Sequence, residues 1–456
     1  MPLSIVILAA GQGTRMKSAR PKVLHELAGK PLLQHVVDVG RALEPEQLIV
    51  VVGLGAERVQ ESMQGQDLIF VEQHEQLGTG HALAQCLGQV TSGNEVLVLY
   101  GDVPLIHAAT LSQMIEQGQD AAVCILSFKP GDPAGYGRIV RQADLSVRAI
   151  VEHKDASPEQ LCIDECYSGI MLIRGDRLQS LVSAIDSNNA QGEYYLTDVV
   201  DIAVANADVV SAVLCTDPDE VTGINDQRQL ASVEAIYRSH QAELLMSQGV
   251  KLYDPTRIDI RGELTVGRDV EIDINCVFEG TVLLGDNVRI GANCVIRDTS
   301  IGDGSEIHPM TSIDDAVIGR RVSIGPFARI RPGAEFGDTS KIGNFVEVKK
   351  SRIGEGSKIS HLSYIGDTEM GAGVNIGAGT IVCNYDGVNK FKTVIEDGVF
   401  IGSDTQLVAP VRVERNATIG AGSTITRDAP ADRLTLSRTK QVTISGWSKP
   451  TKKEDS

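Results

Sequence analysis

The stretch IGRRVSIGPFARIRPGAEFGDTSKI, residues 318–342, carries an aliphatic or aromatic residue at every sixth position: Ile318, Ile324, Ile330, Phe336 and Ile342. Neither an α-helix nor a single strand has this period. Outward from it the rhythm continues both ways. Before it stand Val266, Ile272, Phe278, Leu284, Ile290 and Ile296, then, after a five-residue step, Ile301, Ile307 and Ile313; a second such step leads to Ile318. After it come Val348, Ile353, Ile359, Ile365, Met370, Ile376 and Val382, with five-residue steps at Ile353 and Met370. Past an interruption at 383–394 the series resumes as Ile395, Ile401, Leu407, Val413, Ile419 and Ile425. A period of six fits a hexapeptide-repeat parallel β-helix, each unit forming one side of a triangular coil with its apolar residue inside. One coil cannot bury that residue alone, so stacking completes the core. Glycine follows the apolar residue at Gly267, Gly291, Gly325, Gly343, Gly377, Gly402 and Gly420, where it is expected to ease the tight corners. The interruption contains Asn384-Tyr385-Asp386-Gly387 and Lys390-Phe391-Lys392, and reads as either a tolerated insertion or a functional lip.

The first half has another rhythm. Ile5–Leu8, Leu48–Val52, Glu95–Tyr100 and Ala121–Phe128 are apolar runs that predict buried strands, with helices over Leu32–Ala42 and Gly80–Leu87. This alternation predicts a Rossmann-like α/β fold with a largely parallel sheet. Ligands of such sheets bind beyond the carboxyl ends of the strands, where Gly11 and Asp102 fall. Between the halves, 226–249 predicts one helix, with Leu230, Val233, Tyr237 and Leu244 on a shared face and Gly249 as its stop. The expected boundaries are a first domain over 1–227, a helical linker over 228–248, and a repeat domain with its tail over 249–456.

A formal net charge of -18 over 456 residues argues against a general nucleic-acid surface. The basic run Lys449 to Lys453 is expected to be a solvated tail. Cys162 and Cys166 are the closest pair of the eight cysteines, but no second pair or nearby histidine completes a zinc set. No basic leader with a long apolar stretch is present, and no apolar segment nears membrane-spanning length, so a cytoplasmic protein without membrane insertion is expected.

Leu8-Ala9-Ala10-Gly11-Gln12-Gly13-Thr14-Arg15-Met16 follows the first strand, and Pro21-Lys22 comes shortly after. A Gly-rich turn lets backbone N–H groups approach a polyphosphate, and a helix start after it is expected to add a favourable dipole. Arg15 and Lys22 can neutralise phosphate charge. The spacing is neither a P-loop, which ends Gly-Lys-Ser/Thr, nor a dinucleotide fingerprint, because Met16 stands at the third glycine. Asp102 reads as a turn residue or a metal ligand, and Asn225-Asp226 as site residues or a helix cap. In the second half His361, in Lys358-Ile359-Ser360-His361-Leu362-Ser363-Tyr364, reads as a surface, core or catalytic histidine.

The Gly-x-Gly-Thr-Arg-Met…Pro-Lys string resembles that of the nucleotide-sugar pyrophosphorylases. Residues 73–82 (QHEQLGTGHA), 100–104 (YGDVP), 135–138 (GYGR), 151–154 (VEHK) and 192–198 (GEYYLTD) follow in that family's order. With the repeats, Arg331-Pro332-Gly333 and residues 344–350 (NFVEVKK), the entire chain is similar to the bacterial bifunctional N-acetylglucosamine-1-phosphate uridyltransferase/glucosamine-1-phosphate N-acetyltransferases. The resemblance implies a nucleotidyltransferase domain, a linker helix and a left-handed parallel β-helix. It also implies UTP and acetyl-CoA as co-substrates, Mg²⁺ as cofactor and a homotrimer.

On the N-terminal side it implies that Arg15 and Lys22 stabilise the triphosphate and the transition state, and that Asp102 and Asn225 hold Mg²⁺. Leu8, Ala9, Ala10, Gly11, Tyr100 and Gly101 would line the nucleotide, and Gln73, Gly78 and Thr79 would read the uracil edge. Gly137, Glu152 and Asn225 would contact the sugar. The family usually has Asn where this chain has Tyr167, which leaves that sugar contact to backbone or to Tyr167. On the C-terminal side His361 would be the general base, with Glu347 and Asn384 orienting the amine or the base. Arg331, Lys349, Tyr364 and Asn375 would bind glucosamine 1-phosphate, and Ala378, Asn384, Tyr385, Ser403, Ala421 and Arg438 would lie along acetyl-CoA. The competing readings are a single-activity pyrophosphorylase whose β-helix only assembles subunits, and a non-catalytic repeat scaffold.

Overall fold

The computed structural model describes residues 2–450, so residues 451–456 of the basic tail lie outside them. The chain forms two compact units, Met1–His240 and Gln241–Ser456.

In the first unit seven strands make the main path of a sheet: β1 (Leu3–Leu8), β2 (Gln47–Val52), β3 (Ile69–Glu72), β4 (Glu95–Tyr100), β5 (Val123–Phe128), β6 (Cys166–Ile173) and β7 (Val210–Leu214). Their order is β7-β5-β6-β4-β1-β2-β3. β6 is antiparallel to β4 and β5; the other pairs on the path are parallel. Along β1, Ile5 and Ile7 enter one core while Val6 and Leu8 enter another. Burial on both faces explains its unbroken apolar run. Leu8 pairs with Tyr100, so the Gly-rich turn and Asp102 leave the sheet side by side. A hairpin of Arg138–Arg141 and Val147–Val151, in register Arg138 to Val151, brings Gly137 opposite Glu152.

One expectation fails at the Gly-rich turn. No α-helix follows it: Thr14–Met16 is a single 3-10 turn, and the next α-helix, α1, spans Leu32–Ala42. Met16 is buried, and Gly13 has φ 63° with its missing Cβ only 2.8 Å from where Lys22 Cβ lies. The turn is therefore closed by packing on the Lys22 segment. One 3-10 turn carries little dipole, so side chains must supply the positive charge.

The helix α2 spans Thr79–Cys86 and α3 spans Gln227–Ser247. Asp226 caps α3, its Oδ1 accepting from the N–H groups of Arg228 and Gln229 at 2.9 Å each. Val233 is buried and Leu230, Ile236 and Tyr237 pack with Leu27, Leu32, Leu105 and Ile224. Leu244 does not join them and is 58% exposed. Beyond His240 the buried residues are Ala242 and Leu245, which enter the second unit's core. One helix serving two cores cannot keep one apolar face, and a single-face reading misplaces Leu244.

In the second unit the inward residues stack in three ladders. The first runs from Ile260 through Phe278, Ile296, Ile313, Ile330 and Val348 to Ile365, Val382, Leu407 and Ile425. The second includes Leu284, Ile301, Ile318, Phe336, Ile353, Met370, Ile395 and Val413. The third includes Ile272, Ile290, Ile307, Ile324, Ile342, Ile359, Ile376, Ile401 and Ile419. From Ile272 to Ile425 every repeat residue is buried in one continuous core; Val266, at its start, is partly buried. Each break in the six-residue step falls between the first and second ladders: 296–301, 313–318, 348–353, 365–370 and the insertion 382–395. Asp298, Asp315, Lys350 and Asp367 close the short corners with φ of 43 to 48°.

The glycines do a different job from the one expected. Of the seven glycines named above, only Gly325 has a positive φ. At the same edge the left-handed residue comes later, as at Asn293, Met310, Phe327, Phe345 and Leu362. The other six glycines admit the next coil: a Cβ on Gly343 would overlap the Ser360 carbonyl, and one on Gly377 would lie 2.5 Å from Ser403 N. Gly343→Ala is expected to destabilise the second unit by roughly 1–3 kcal/mol through this overlap, measurable as a lower thermal midpoint for that unit's transition.

Candidate functional sites

Where β1 and β4 end, a cavity of about 500 Å³ is lined by Leu8 to Gln12, Lys22, Gln73, Gly78, Thr79, Tyr100, Asp102 and Asn225. Its charged end is organised around Lys22. The Lys22 ammonium is ion-paired with Asp102 and lies 3.3 Å from Asn225 Oδ1. Arg15 Nη2 donates to the same Asn225 oxygen at 2.7 Å. Thus Asp226 caps the helix while Asn225 faces the charged cluster. The sequence set omits Gln12, Val23, Gln76, Ala82 and Glu193, which also line the cavity. Gln12, Gln76, Ala82 and Glu193 lie inside the quoted motifs, whereas Val23 carries no polar signal.

Gly101, Gly137, Glu152 and Arg15 do not line this cavity. Glu152 sits at the hairpin end beside Gly137, accepting a 3.2 Å hydrogen bond from Thr197. Burial pushes its carboxyl above the usual range, and the Thr197 bond partly opposes that shift. Tyr167 is 6% exposed, within the core, and its hydroxyl donates to Gly169 O. That donor is already used by backbone. Burial pushes both Tyr100 and Tyr167 up, leaving them as neutral walls near Glu152.

On the β-helix the register builds a column along one edge. Asn344 lies beside His361, followed by Ala378, Ser403 and Ala421 in successive coils. Leu362 N donates to Asn344 O, Asp404 N to Ala378 O, and Gly422 N to Ser403 O. Arg438 closes the column by donating to Ala421 O at 2.9 Å. Asn344 Oδ1 meets His361 Nδ1 at 2.7 Å, so in the neutral imidazole Nδ1 carries the proton and Nε2 the lone pair. Asn344, within a quoted motif but given no role there, is thus the partner of the imidazole. Glu347 instead accepts from Arg331 at 2.8 Å, and Asn384 donates to Asp367.

The first-ladder face continues to a second edge that gathers cations. Arg331 and Lys349 occupy successive outward positions there, and Lys390 arrives from the inserted loop. Lys390, the largest influence, and Arg331 hold the Lys349 ammonium below its ordinary range. Gly366 follows Lys349 in this column, and Tyr364 lies across it. A Cβ on Gly366 would lie 2.5 Å from the Tyr364 hydroxyl and 2.9 Å from the Asn384 amide. Tyr385 is exposed on the loop. Asn375 is not brought to this face: it belongs to the third-ladder sheet, between Lys358 and Phe400.

The MobA-like NTP transferase domain family matches residues 5–157, the GMPPB C-terminal domain residues 260–339, and the bacterial transferase hexapeptide family (six repeats) residues 392–427. The chain is 54% identical to the bifunctional protein GlmU of Chromobacterium violaceum and 55% to that of Cupriavidus pinatubonensis, with 99% of each chain covered in both comparisons. Identity to the Burkholderia ambifaria protein of the same name is 54%, over 99% of this chain and 100% of that one. The chain belongs to the bifunctional GlmU family. As a GlmU-family member it is a bifunctional transferase of UDP-N-acetylglucosamine synthesis, with a uridyltransferase domain followed by a hexapeptide-repeat acetyltransferase domain. The scaffold reading and the single-activity reading are thereby replaced.

Two outcomes follow from the geometry. Thr197→Ala removes a bond that favours the Glu152 carboxylate, so the acid limb of the uridylyl kcat/KM profile is expected to move to higher pH. Gly366→Ala, whose φ is unremarkable, is expected to displace Tyr364 and Asn384. It should lower acetyl transfer roughly tenfold or more while uridylyl transfer in the same preparation stays unchanged.

Proposed function

We propose that the β1/β4 cavity performs uridylyl transfer and that the two edges of the first-ladder face carry acetyl transfer, the second product feeding the first reaction. The acetyltransferase step converts acetyl-CoA and glucosamine 1-phosphate to N-acetylglucosamine 1-phosphate and CoA. The uridyltransferase step joins that sugar phosphate to UTP, releasing pyrophosphate.

In uridylyl transfer a sugar-phosphate oxygen attacks the α-phosphorus of UTP as the pyrophosphate oxygen leaves. Such transfers depend mainly on alignment and charge neutralisation. Arg15 and Lys22 supply positive charge on the polyphosphate side. The Asp102 carboxylate and Asn225 Oδ1 both approach the Lys22 ammonium, so two hard oxygen donors already surround one cation. That donor set fits Mg²⁺, with phosphate and water oxygens completing its coordination. Bound there, the ion would neutralise charge on the triphosphate. Glu152, at the hairpin end, accepts from a sugar hydroxyl in this reading.

In acetyl transfer the amine of glucosamine 1-phosphate attacks the thioester carbonyl. His361 Nε2 takes the amine proton, the C–S bond breaks, and CoA leaves as its thiol once protonated. Arg331, Lys349 and Lys390 take the sugar phosphate. Their mutual repulsion, visible in the depressed Lys349 ammonium, is what an anion would relieve. The pairing of His361 with Asn344 at 2.7 Å is the single observation that most supports a base at this edge.

A homotrimer accounts for two further features. Asn375 lies in a different sheet from Tyr364 and Lys349, and a second copy would present it at the same substrate. Met310, Phe327, Phe345 and Leu362 form an exposed apolar stripe up the His361 edge, with Phe327 and Phe345 stacked 5.2 Å apart. A stripe of that kind is an association surface.

His361→Ala should reduce CoA thiol release by roughly 10²–10⁴-fold and leave pyrophosphate release from UTP intact. Asp102→Ala should do the reverse, by roughly 10²-fold or more; loss of both activities in either variant contradicts separate sites. Phe327→Asp with Phe345→Asp should lower the sedimenting mass from three chains to one.

A further inference from the structure

Gln73 is 3% exposed and lines the nucleotide cavity. Its Nε2 donates to Gly78 O at 3.0 Å and lies 3.0 Å from His81 Nδ1. A primary amide has two N–H donors, and these two partners take both. Gly78 O can only accept, which fixes the nitrogen end of the amide. The second N–H then needs a lone pair on His81 Nδ1. His81 stands on α2, its ring beside Tyr194 at 6.1 Å between centroids; with the Nδ1 lone pair facing Gln73, Nε2 carries the ring proton, and Gln85 Nε2, 3.1 Å away, donates to His81 O instead. Gln73 Oε1 accepts no hydrogen bond from any described residue and is not sealed from solvent. The side chain thus offers one acceptor and no donor.

We propose that His81 is a positioning residue that sets base specificity, by holding the Gln73 amide with its oxygen available to a ring N–H. The inference rests on the reading of this cavity as the UTP site with Gln73 at the base edge. Uracil has a single N–H on that edge, at N3, flanked by two carbonyl acceptors. An acceptor-only side chain must meet that N–H. Cytosine in the same pose turns a lone pair toward Oε1, leaving two acceptors opposed and both without a donor. A site built this way rejects the mismatched base, whereas one that can turn its amide over accommodates either. Without His81, only Gly78 O restrains the amide.

The test compares UTP with CTP, by kcat/KM and by calorimetric Kd, in the full chain. His81→Leu should lower the UTP preference roughly 10- to 100-fold. His81→Asn, whose carbonyl can stand where Nδ1 stood, should retain most of it. Gln73→Leu should lose the preference as well. Acetyl transfer in the same preparations monitors folding, and His81→Ala serves if leucine disturbs α2. An unchanged UTP preference in His81→Leu, with loss in Gln73→Leu, overturns the positioning role alone. Preference unchanged in both variants overturns the placement of Gln73 at the base, and this proposal with it.

Discussion

Phase is the constraint on which the second half of the molecule depends. Each coil buries its inward residues only if they stand directly over those of the coil below, so one misplaced residue would expose an entire ladder. The cores of Ile, Val and Phe enforce that phase, and backbone hydrogen bonds between coils follow from it. The chemistry inherits the same alignment. Asn344 meets His361 because Ile342 stands over Ile359, and Ala378, Ser403 and Ala421 continue the line because Ile376, Ile401 and Ile419 do. The column that carries His361 is here a by-product of packing, which is why close approach at Gly343 and Gly377 matters as much as any charged residue.

The first unit reaches a site by other means. Its sheet brings two strand ends together, and the functional groups sit on the turns that leave them. With only one 3-10 turn after the Gly-rich loop, positive charge comes from the ends of long side chains. Lys22, Arg15, Asp102 and Asn225 form one mutually satisfied set in which each cation has an oxygen partner. In the proposed reaction a polyphosphate entering such a set would exchange partners with groups already near their positions.

The sequence disclosed periodic features well and pairings poorly. The six-residue period identified the ladder residues from Ile272 to Ile425 because burial in a prism depends on position, but it missed Ile260 at the head of the first ladder and buried off-period residues such as Val288, Val322 and Val374. Asp102 and the Gly-rich turn were legible because strand ends are predictable. The helix after the turn was misjudged, since whether a glycine turn is followed by an α-helix depends on tertiary packing around Met16. Leu244 was misjudged because amphipathic periodicity assumes one core. The partner of His361 was not legible either: Asn344 is seventeen positions away, a separation that becomes contact only once the coil length is known. Tyr167 was visible as a departure, but its hydroxyl's commitment to Gly169 O was not. Hydrogen-bond partners are settled by three-dimensional competition among groups, and residue type does not encode its outcome.

All the irregular steps of the repeat lie on one edge, between the first and second ladders. There a residue can be dropped, or seven added, while the other two edges hold count. The seam therefore acts as a permissive boundary in the prism. The steps of unequal length lie beside Arg331 and Lys349. The inserted loop brings Lys390 to these cations while Val382 and Ile395 on either side of it stay in the core, so the added chain reshapes the surface and leaves the packing intact.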